Sequence, residues 1–197
     1  MKTINFFFFL SAVLFTTALQ GQAAINPGIQ SSFDAYIQYS NNKEWDKAFD
    51  LLYPKLFTKV AKQDLVDVML GMEADGMELQ LKNTRITSTS VPVEEGNETF
   101  VRVEYVSDME VSIVTDGKYD APKSIQAIDE QFKHIYGNEN VKWDATNKQY
   151  KIIAHKAMIA VKTGSDGWKL AEVNMDQPEL MKYLFSPAVM DALVSIE

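Results

Sequence analysis

The middle of the chain alternates between apolar and polar side chains. From residue 101 to residue 113 every odd position except Ser107 is apolar, and most even positions are charged or polar. A period of two with one apolar face is typical of an antiparallel strand that covers a core on one side. The stretch predicts either one long bent strand or two strands that turn near Ser107-Asp108. A shorter alternation over residues 77–82 and a β-rich run over residues 86–93 predict further strands of the same sheet.

The most clearly specified hairpin lies between residues 148 and 174. Two β-type runs flank Gly164-Ser165-Asp166-Gly167, and this composition is typical of a tight turn. Trp168 and Leu170 begin the return strand. The predicted sheet is therefore antiparallel and closes with a hairpin.

Apolar residues at helical spacing precede the predicted sheet. Ser31 or Ser32 can cap a first helix, because a serine oxygen can accept a hydrogen bond from the first free backbone amides. Further helical runs cover residues 43–53, where Pro54 interrupts the pattern, and residues 63–72. These runs predict a group of helices that packs on the sheet.

Helical spacing also interrupts and follows the sheet. Residues 122–136 predict an inserted helix, and two short helices begin near Pro178 and Pro187. The fold class is therefore α+β, with N-terminal helices packed on a curved, cone-like antiparallel sheet, an inserted helix and C-terminal helices. No repeat or low-complexity linker divides residues 24–197, so we expect a single domain.

The first 23 residues have the pattern of a signal peptide. Lys2 provides a minimal basic region, residues 4–19 are mainly apolar, and Gly21-Gln22-Ala23 supplies small residues for cleavage after Ala23. The alternative is an uncleaved membrane anchor, but the apolar run is short for a span of about 20 residues. We therefore expect an exported protein, in a bacterial periplasm or secreted, with no stable membrane insertion after the signal is removed.

Composition narrows the range of partners. The chain has 197 residues, a hydrophobic fraction of 46%, a formal net charge of −8 and no cysteine. An acidic protein is poorly suited to nucleic acid, whose phosphates require a basic surface. Without cysteine there is no disulfide, and a lipoprotein signal is excluded because the lipid must attach to a cysteine.

No motif for a cofactor or a metal ion is present. Gly164-Ser165-Asp166-Gly167 has the wrong spacing for a nucleophile elbow, and the chain contains neither a phosphate loop nor a dinucleotide fingerprint. Its two histidines, His134 and His155, have no partner at metal-ligand spacing. We therefore expect no cofactor and no metal site.

His155 is the histidine that could have a chemical role. It shares parity with Ile153, Ala157, Ile159 and Val161, which predicts an apolar strand face around it. A histidine there could act as a general acid or base, and the alternative is a hydrogen-bonded histidine at the edge of the core. His134 is expected on an exposed helix flank.

The order of elements is similar to the nuclear transport factor two-like superfamily, which includes ketosteroid isomerases and SnoaL-like proteins. The resemblance rests on Asn41 to Ala48 followed by Phe49-Asp50-Leu51-Leu52, which looks like the first helix pair, and on Gly167-Trp168-Lys169-Leu170, which looks like the final strand. It covers roughly residues 31–174. The inserted helix and the C-terminal helices depart from the pattern, and the resemblance implies a cone-like fold rather than one activity.

These observations lead to three functional hypotheses. The first is an exported, non-catalytic domain that binds a small apolar ligand or a partner protein, with Tyr36, Tyr105 and His155 lining a cavity. The second is an isomerase, dehydratase or hydrolase of the same fold. The third is an interaction module that forms a homodimer through its sheet or through an apolar terminal stripe, formed by Leu180, Leu184, Val189 and Leu193.

Overall fold

A computed structural model describes residues 25–174 and 177–194 of the protein. The predicted signal peptide, residues 1–23, lies outside the described residues. Within the described ranges, no helix is both long enough and apolar enough to cross a membrane.

Helices and strands follow one another in groups along the described chain: three helices, three strands, one helix, three strands and two helices. The helices are α1 (Pro27–Asn41), α2 (Trp45–Asp50), α3 (Lys62–Ala74), α4 (Pro122–Tyr136), α5 (Pro178–Leu184) and α6 (Pro187–Leu193), with short 3-10 helices at Pro54–Thr58 and Asn138–Asn140. The strands are β1 (Met77–Thr89), β2 (Val93–Glu95), β3 (Glu98–Ile113), β4 (Val141–Asp144), β5 (Gln149–Thr163) and β6 (Lys169–Glu172). The predicted α+β class is confirmed.

The described strands form one antiparallel sheet of six strands. Its main path runs β1-β3-β5-β4, with β2 added to β3 and β6 added to β5. Two register shifts bend β1. The long alternation is one strand rather than two, because Ser107 stays in register opposite Ala154 and its hydroxyl lies 2.7 Å from the Thr84 hydroxyl. A hydrogen-bonded serine can occupy the centre of a buried strand without breaking it.

The first helix begins earlier than the sequence pattern predicted. Asn26, not Ser31 or Ser32, is the N-cap, and its side-chain oxygen accepts a hydrogen bond of 2.8 Å from the Gly28 amide. Pro27 follows at the first helical position, where its missing N–H costs nothing. Ser32 lies inside α1 and donates to the Trp168 carbonyl at 2.9 Å, so its hydroxyl joins the helix to the hairpin.

Helices cover both faces of the sheet. On the inner face, defined by Val103 and Tyr105, the helices α1 to α3 pack over one half and α4 packs over the other. On the outer face, defined by Phe100 and Ile159, α5 and α6 pack over the end of the sheet that carries the hairpin. The rest of the outer face carries none of the described helices, and Lys151, Ile153 and His155 of β5 are exposed there.

The apolar terminal stripe belongs to this packing. Leu184, Val189 and Leu193 are buried against Phe100, Ile159 and neighbouring side chains of the outer face, and Leu180 is partly buried beside them. Because these side chains are already in the core of their own chain, the stripe is not a free surface for a second copy. The helical spacing was correct, but its partner is the chain's own sheet.

Candidate functional site

A cleft opens at the edge of β5 that carries β4 and β6, where neither strand pairs with the middle of β5. Strand β4 pairs with β5 up to Ile152, and β6 pairs with β5 from Met158 onward. The stretch between them leaves a notch in the sheet, and a cleft of about 520 Å³ lies there. We call it the β5 cleft. Its lining comes from β3, β5, the end of α4, the end of β6 with the segment that follows, and one residue of β1, namely Arg102, Glu104, Tyr105, His155, Lys156, Ala157, Ile135, Tyr136, Glu172, Val173, Asn174 and Thr87.

Three polar side chains meet on the inner-face side of this cleft. Tyr105 of β3 lies directly opposite Lys156 of β5, and Glu172 of β6 lies opposite Met158. Because Lys156 and Met158 are two residues apart in one strand, all four side chains point to the same face. Lys156 and Glu172 form an ion pair. The register of three strands therefore fixes a lysine, a carboxylate and a tyrosine side by side.

Tyr105 is held in place by packing rather than by hydrogen bonding. Its ring meets Phe33 of α1 edge to face, with ring centroids 5.2 Å apart. Burial, reinforced by the neighbouring Tyr36 and Tyr136, raises the pKa of Tyr105 well above its ordinary value of 10.0. The phenol is therefore neutral at physiological pH. Its hydroxyl makes no hydrogen bond to any residue that the structure describes, which leaves one donor for a ligand in the cleft.

Lys156 is a partly buried charged residue whose neighbours on its face of β5, Ala154 and Met158, are apolar. Its side chain is 29% exposed and that of Glu172 is 39% exposed. Burial lowers the pKa of Lys156 from its ordinary value of 10.5, because an ammonium group loses hydration there. An ammonium carries three N–H donors, and Glu172 is its one partner among the described residues. Lys156 and Tyr105 therefore line the same cleft, and each has a donor that no described residue uses.

The opposite wall of the cleft carries a second ion pair. Arg102 Nε donates to Glu104 Oε1 at 3.0 Å, and Arg102 Nη1 donates to the Leu193 carbonyl at 2.8 Å. The second bond anchors the guanidinium to the end of α6. Because Arg102 is bonded both to Glu104 and to the end of α6, the arginine wall mainly supports the C-terminal helices.

The structure separates the three residues that the sequence placed at a cavity. Tyr105 and His155 line the cleft, whereas Tyr36 packs behind Tyr105 in the core between α1 and the sheet. His155 is exposed, because α5 and α6 pack against its face of β5 only at Ile159 and Val161. The expectation of an apolar face therefore holds for one half of that face and fails at His155 itself. His134 is exposed on α4, as predicted.

Sequence reasoning missed Lys156 and Glu172. The signal was available in the even positions from residue 150 to residue 160, where Tyr150, Ile152, Ala154, Met158 and Ala160 are apolar or small and Lys156 alone is charged. A single lysine inside such a series is unusual, because lysine is rarely buried unless it is paired. The odd positions looked equally apolar beyond residue 156, so parity could not show which face held the site.

The described residues offer no alternative metal centre. In residues 25–174 and 177–194, no three histidine, aspartate or glutamate side chains lie close enough together to hold a metal ion. The ionisable groups that line the β5 cleft are an amine, a guanidinium, an imidazole, two carboxyl groups and two phenols.

Comparisons with known proteins give a likeness of fold only. No protein family model matches the chain, and no curated protein matches it. Among solved structures, one that is similar is a protein of the NTF2-like family from Streptomyces avermitilis, provisionally described as a dehydratase. It has a TM-score of 0.32 and 10% sequence identity, and the match covers 73% of this chain and 89% of that chain. A similarity at this level carries no information on activity.

Proposed function

We propose that the protein is an exported domain that binds a small molecule in the β5 cleft. The observation that carries this proposal is the convergence of Tyr105, Lys156 and Glu172 on one open space, with hydrogen-bond donors that no described residue uses. Polar groups that are neither hydrogen-bonded nor fully solvated are costly in a folded protein. A ligand that accepts these hydrogen bonds would offset that cost.

The dimensions and the walls of the cleft suit a compact, partly apolar ligand. About 520 Å³ lies within the usual range of roughly 300–1,000 Å³ for small-molecule sites. Ile135, which is 47% exposed at the end of α4, provides an apolar rim, and the ring of Tyr136 lies beside it. The ligand class is therefore a molecule with an apolar body and one oxygen-containing polar end.

Export forms the second part of the proposal and rests on residues 1–23. Intact-mass analysis of the protein from a native exported fraction provides the test. The proposal expects a chain that begins at Ala24. A mass that includes residues 1–23 in that fraction would overturn the cleavage, and absence from the exported fraction would overturn the export.

Native mass spectrometry of the same material tests the binding. We expect an additional mass of a few hundred daltons that is lost on denaturation. Ile135→Trp should abolish it, because a bulky ring at the rim narrows the entrance while the exposed position tolerates the larger side chain. Val68→Trp is the matched control, since Val68 is 57% exposed on α3 and lies outside the cleft.

Certain results with these two variants would contradict binding in the β5 cleft. Retention of the bound mass in Ile135→Trp, or its loss in both variants, would place the ligand elsewhere and contradict the proposal. If the purified wild-type protein carries no additional mass, benzaldehyde and 2-octanone are added to it as probe ligands. Failure of both probes to shift the melting temperature of the wild-type protein would also count against the cleft.

An enzyme of the same fold is the second candidate. The observation that favours it is the Lys156–Glu172 pair, because an amine next to a carboxyl group can exchange a proton across a short distance. Neither charged group is needed to bind a purely apolar molecule. Turnover of a carbonyl compound by the wild-type protein, lost in Lys156→Arg, would distinguish the enzyme from a simple binding domain.

A further inference from the structure

We propose that the amine of Lys156 forms a reversible imine with an aldehyde or ketone in the β5 cleft. This inference deepens the proposed function and rests on it, because the carbonyl compound must first enter the cleft. It assigns Lys156 as the attachment point, Glu172 as the proton carrier and Tyr105 as the hydrogen-bond donor to the carbonyl oxygen.

The position of Lys156 satisfies the first requirement, an amine that a ligand can reach in poorly hydrated surroundings. Its neighbours on the inner face of β5 are Ala154 and Met158, which are both buried and apolar. The side chain nevertheless retains 29% of its exposure, and this exposed part opens into the cleft. A lysine that has lost much of its hydration is the type of lysine that serves as a nucleophile in proteins.

Glu172 satisfies the second requirement, a group that can take a proton from the ammonium and return it. The two side chains are in direct contact in their ion pair. Transfer of one proton from Lys156 to Glu172 converts the pair into a neutral amine and a carboxylic acid. Burial favours this change, because it lowers the pKa of Lys156.

The reaction balances without any further reactant. The Lys156 nitrogen attacks the carbonyl carbon, so that a C–N bond forms and the electron pair of the C=O π bond moves to oxygen. A proton then passes from nitrogen to that oxygen and gives a carbinolamine. The Glu172 carboxylic acid protonates the carbinolamine hydroxyl, water leaves, and a protonated imine remains. Its positive charge is again paired with the Glu172 carboxylate.

Tyr105 satisfies the third requirement, stabilisation of the oxygen on which negative charge develops. It lies directly across the strand pair from Lys156, and no described residue accepts a hydrogen bond from its hydroxyl. Burial keeps the phenol protonated, so it can donate to the carbonyl oxygen during attack. The three side chains therefore supply a nucleophile, a proton carrier and an oxyanion donor.

The test uses benzaldehyde and sodium cyanoborohydride, which reduces a protonated imine to a stable secondary amine. The mature wild-type protein is treated near neutral pH, its intact mass is measured, and the labelled lysines are located by peptide mapping. Lys151 is an internal reference, because it lies on the same strand and its side chain is 54% exposed. We expect Lys156 to be labelled on the order of tenfold faster than Lys151.

Two variants make the test specific. Lys156→Arg keeps the positive charge beside Glu172 but cannot form the imine, so the fast label should disappear while the melting temperature stays close to that of the wild-type protein. Glu172→Gln keeps the shape but cannot carry the proton, so labelling of Lys156 should slow down. Labelling of Lys156 at or below the rate of Lys151 would overturn the imine. If the cleft still retains a ligand in native mass spectra in that case, the binding proposal stands and only the imine fails.

Discussion

The Lys156–Glu172 pair should contribute measurable coupling energy to folding. Two unit charges about 4 Å apart interact by about 4 kcal/mol at an effective dielectric constant of 20, before the cost of desolvation is counted. Fully exposed pairs contribute about 0.2–1 kcal/mol, whereas loss of one partner of a buried pair costs about 3–5 kcal/mol. The side chains of Lys156 and Glu172 are 29% and 39% exposed, so the pair lies between these limits. We expect a coupling free energy of about 1–2 kcal/mol.

A double-mutant cycle measures this coupling directly. Lys156→Met, Glu172→Gln and the double variant are unfolded in urea, and tryptophan fluorescence reports the transition, since Trp168 lies next to β6. The double variant should lose less stability than the sum of the two single variants, because neither charge is then left unpaired. The exposed Lys182–Glu179 pair, with side chains 66% and 84% exposed, is the matched control and should show a coupling near zero. A coupling below about 0.3 kcal/mol at Lys156–Glu172 would refute the ion pair and, with it, the proton transfer proposed above.

Three further predictions test the fold around the site. Phe185→Ala should reduce the free energy of unfolding by about 3–5 kcal/mol in a urea titration, because the ring is 2% exposed beneath α5 and α6; a loss below about 1 kcal/mol would contradict this packing. Asn26→Ala should lower the free energy of unfolding by about 1 kcal/mol because it removes the α1 cap, whereas Ser31→Ala should change the urea midpoint little. A larger loss in Ser31→Ala than in Asn26→Ala would show that the cap expected from the sequence is the correct one. Hydrogen bonds from Lys148 and from the Asp116 amide lower the pKa of Asp120 below 3.8, so this stabilisation is present at neutral pH and is lost as the pH falls through the folded-state pKa. Wild-type protein and Asp120→Asn should therefore differ in melting temperature at neutral pH and converge on acidification; a constant difference would exclude the Asp120 carboxylate as the cause.

Local patterns predicted most of the elements correctly. The helix over residues 122–136 has the predicted bounds, because proline at its start and Gly137 at its end, with φ of +88°, are both signals that act within one turn. The hairpin after residue 148 also formed as predicted. The predicted start of the first helix was wrong, because both asparagine and serine can cap a helix and Asn26 is the residue that does so. Ser32 instead donates a hydrogen bond to the hairpin.

The site could be predicted only in part. Tyr105 was expected at a cavity and lines one, since its parity placed it on the buried face of β3. His155 was expected on an apolar face and is exposed, because the C-terminal helices pack on that face of β5 only at Ile159 and Val161. No pattern in β5 itself could indicate where helices separated by many residues in the chain would stop.

The sequence by itself determined the α+β class, the antiparallel character of the sheet and the position of most helices. These features depend on periodicity, on capping residues and on turn composition, which are all read within a few residues. The tertiary structure decided that the long alternation is one strand, that the terminal stripe packs on its own sheet, and that Lys156, Glu172 and Tyr105 meet. That meeting depends on the registers of β3, β5 and β6 and on the notch between β4 and β6. Register is a relation between distant segments, so it is fixed by the packing of the whole chain rather than by any one stretch.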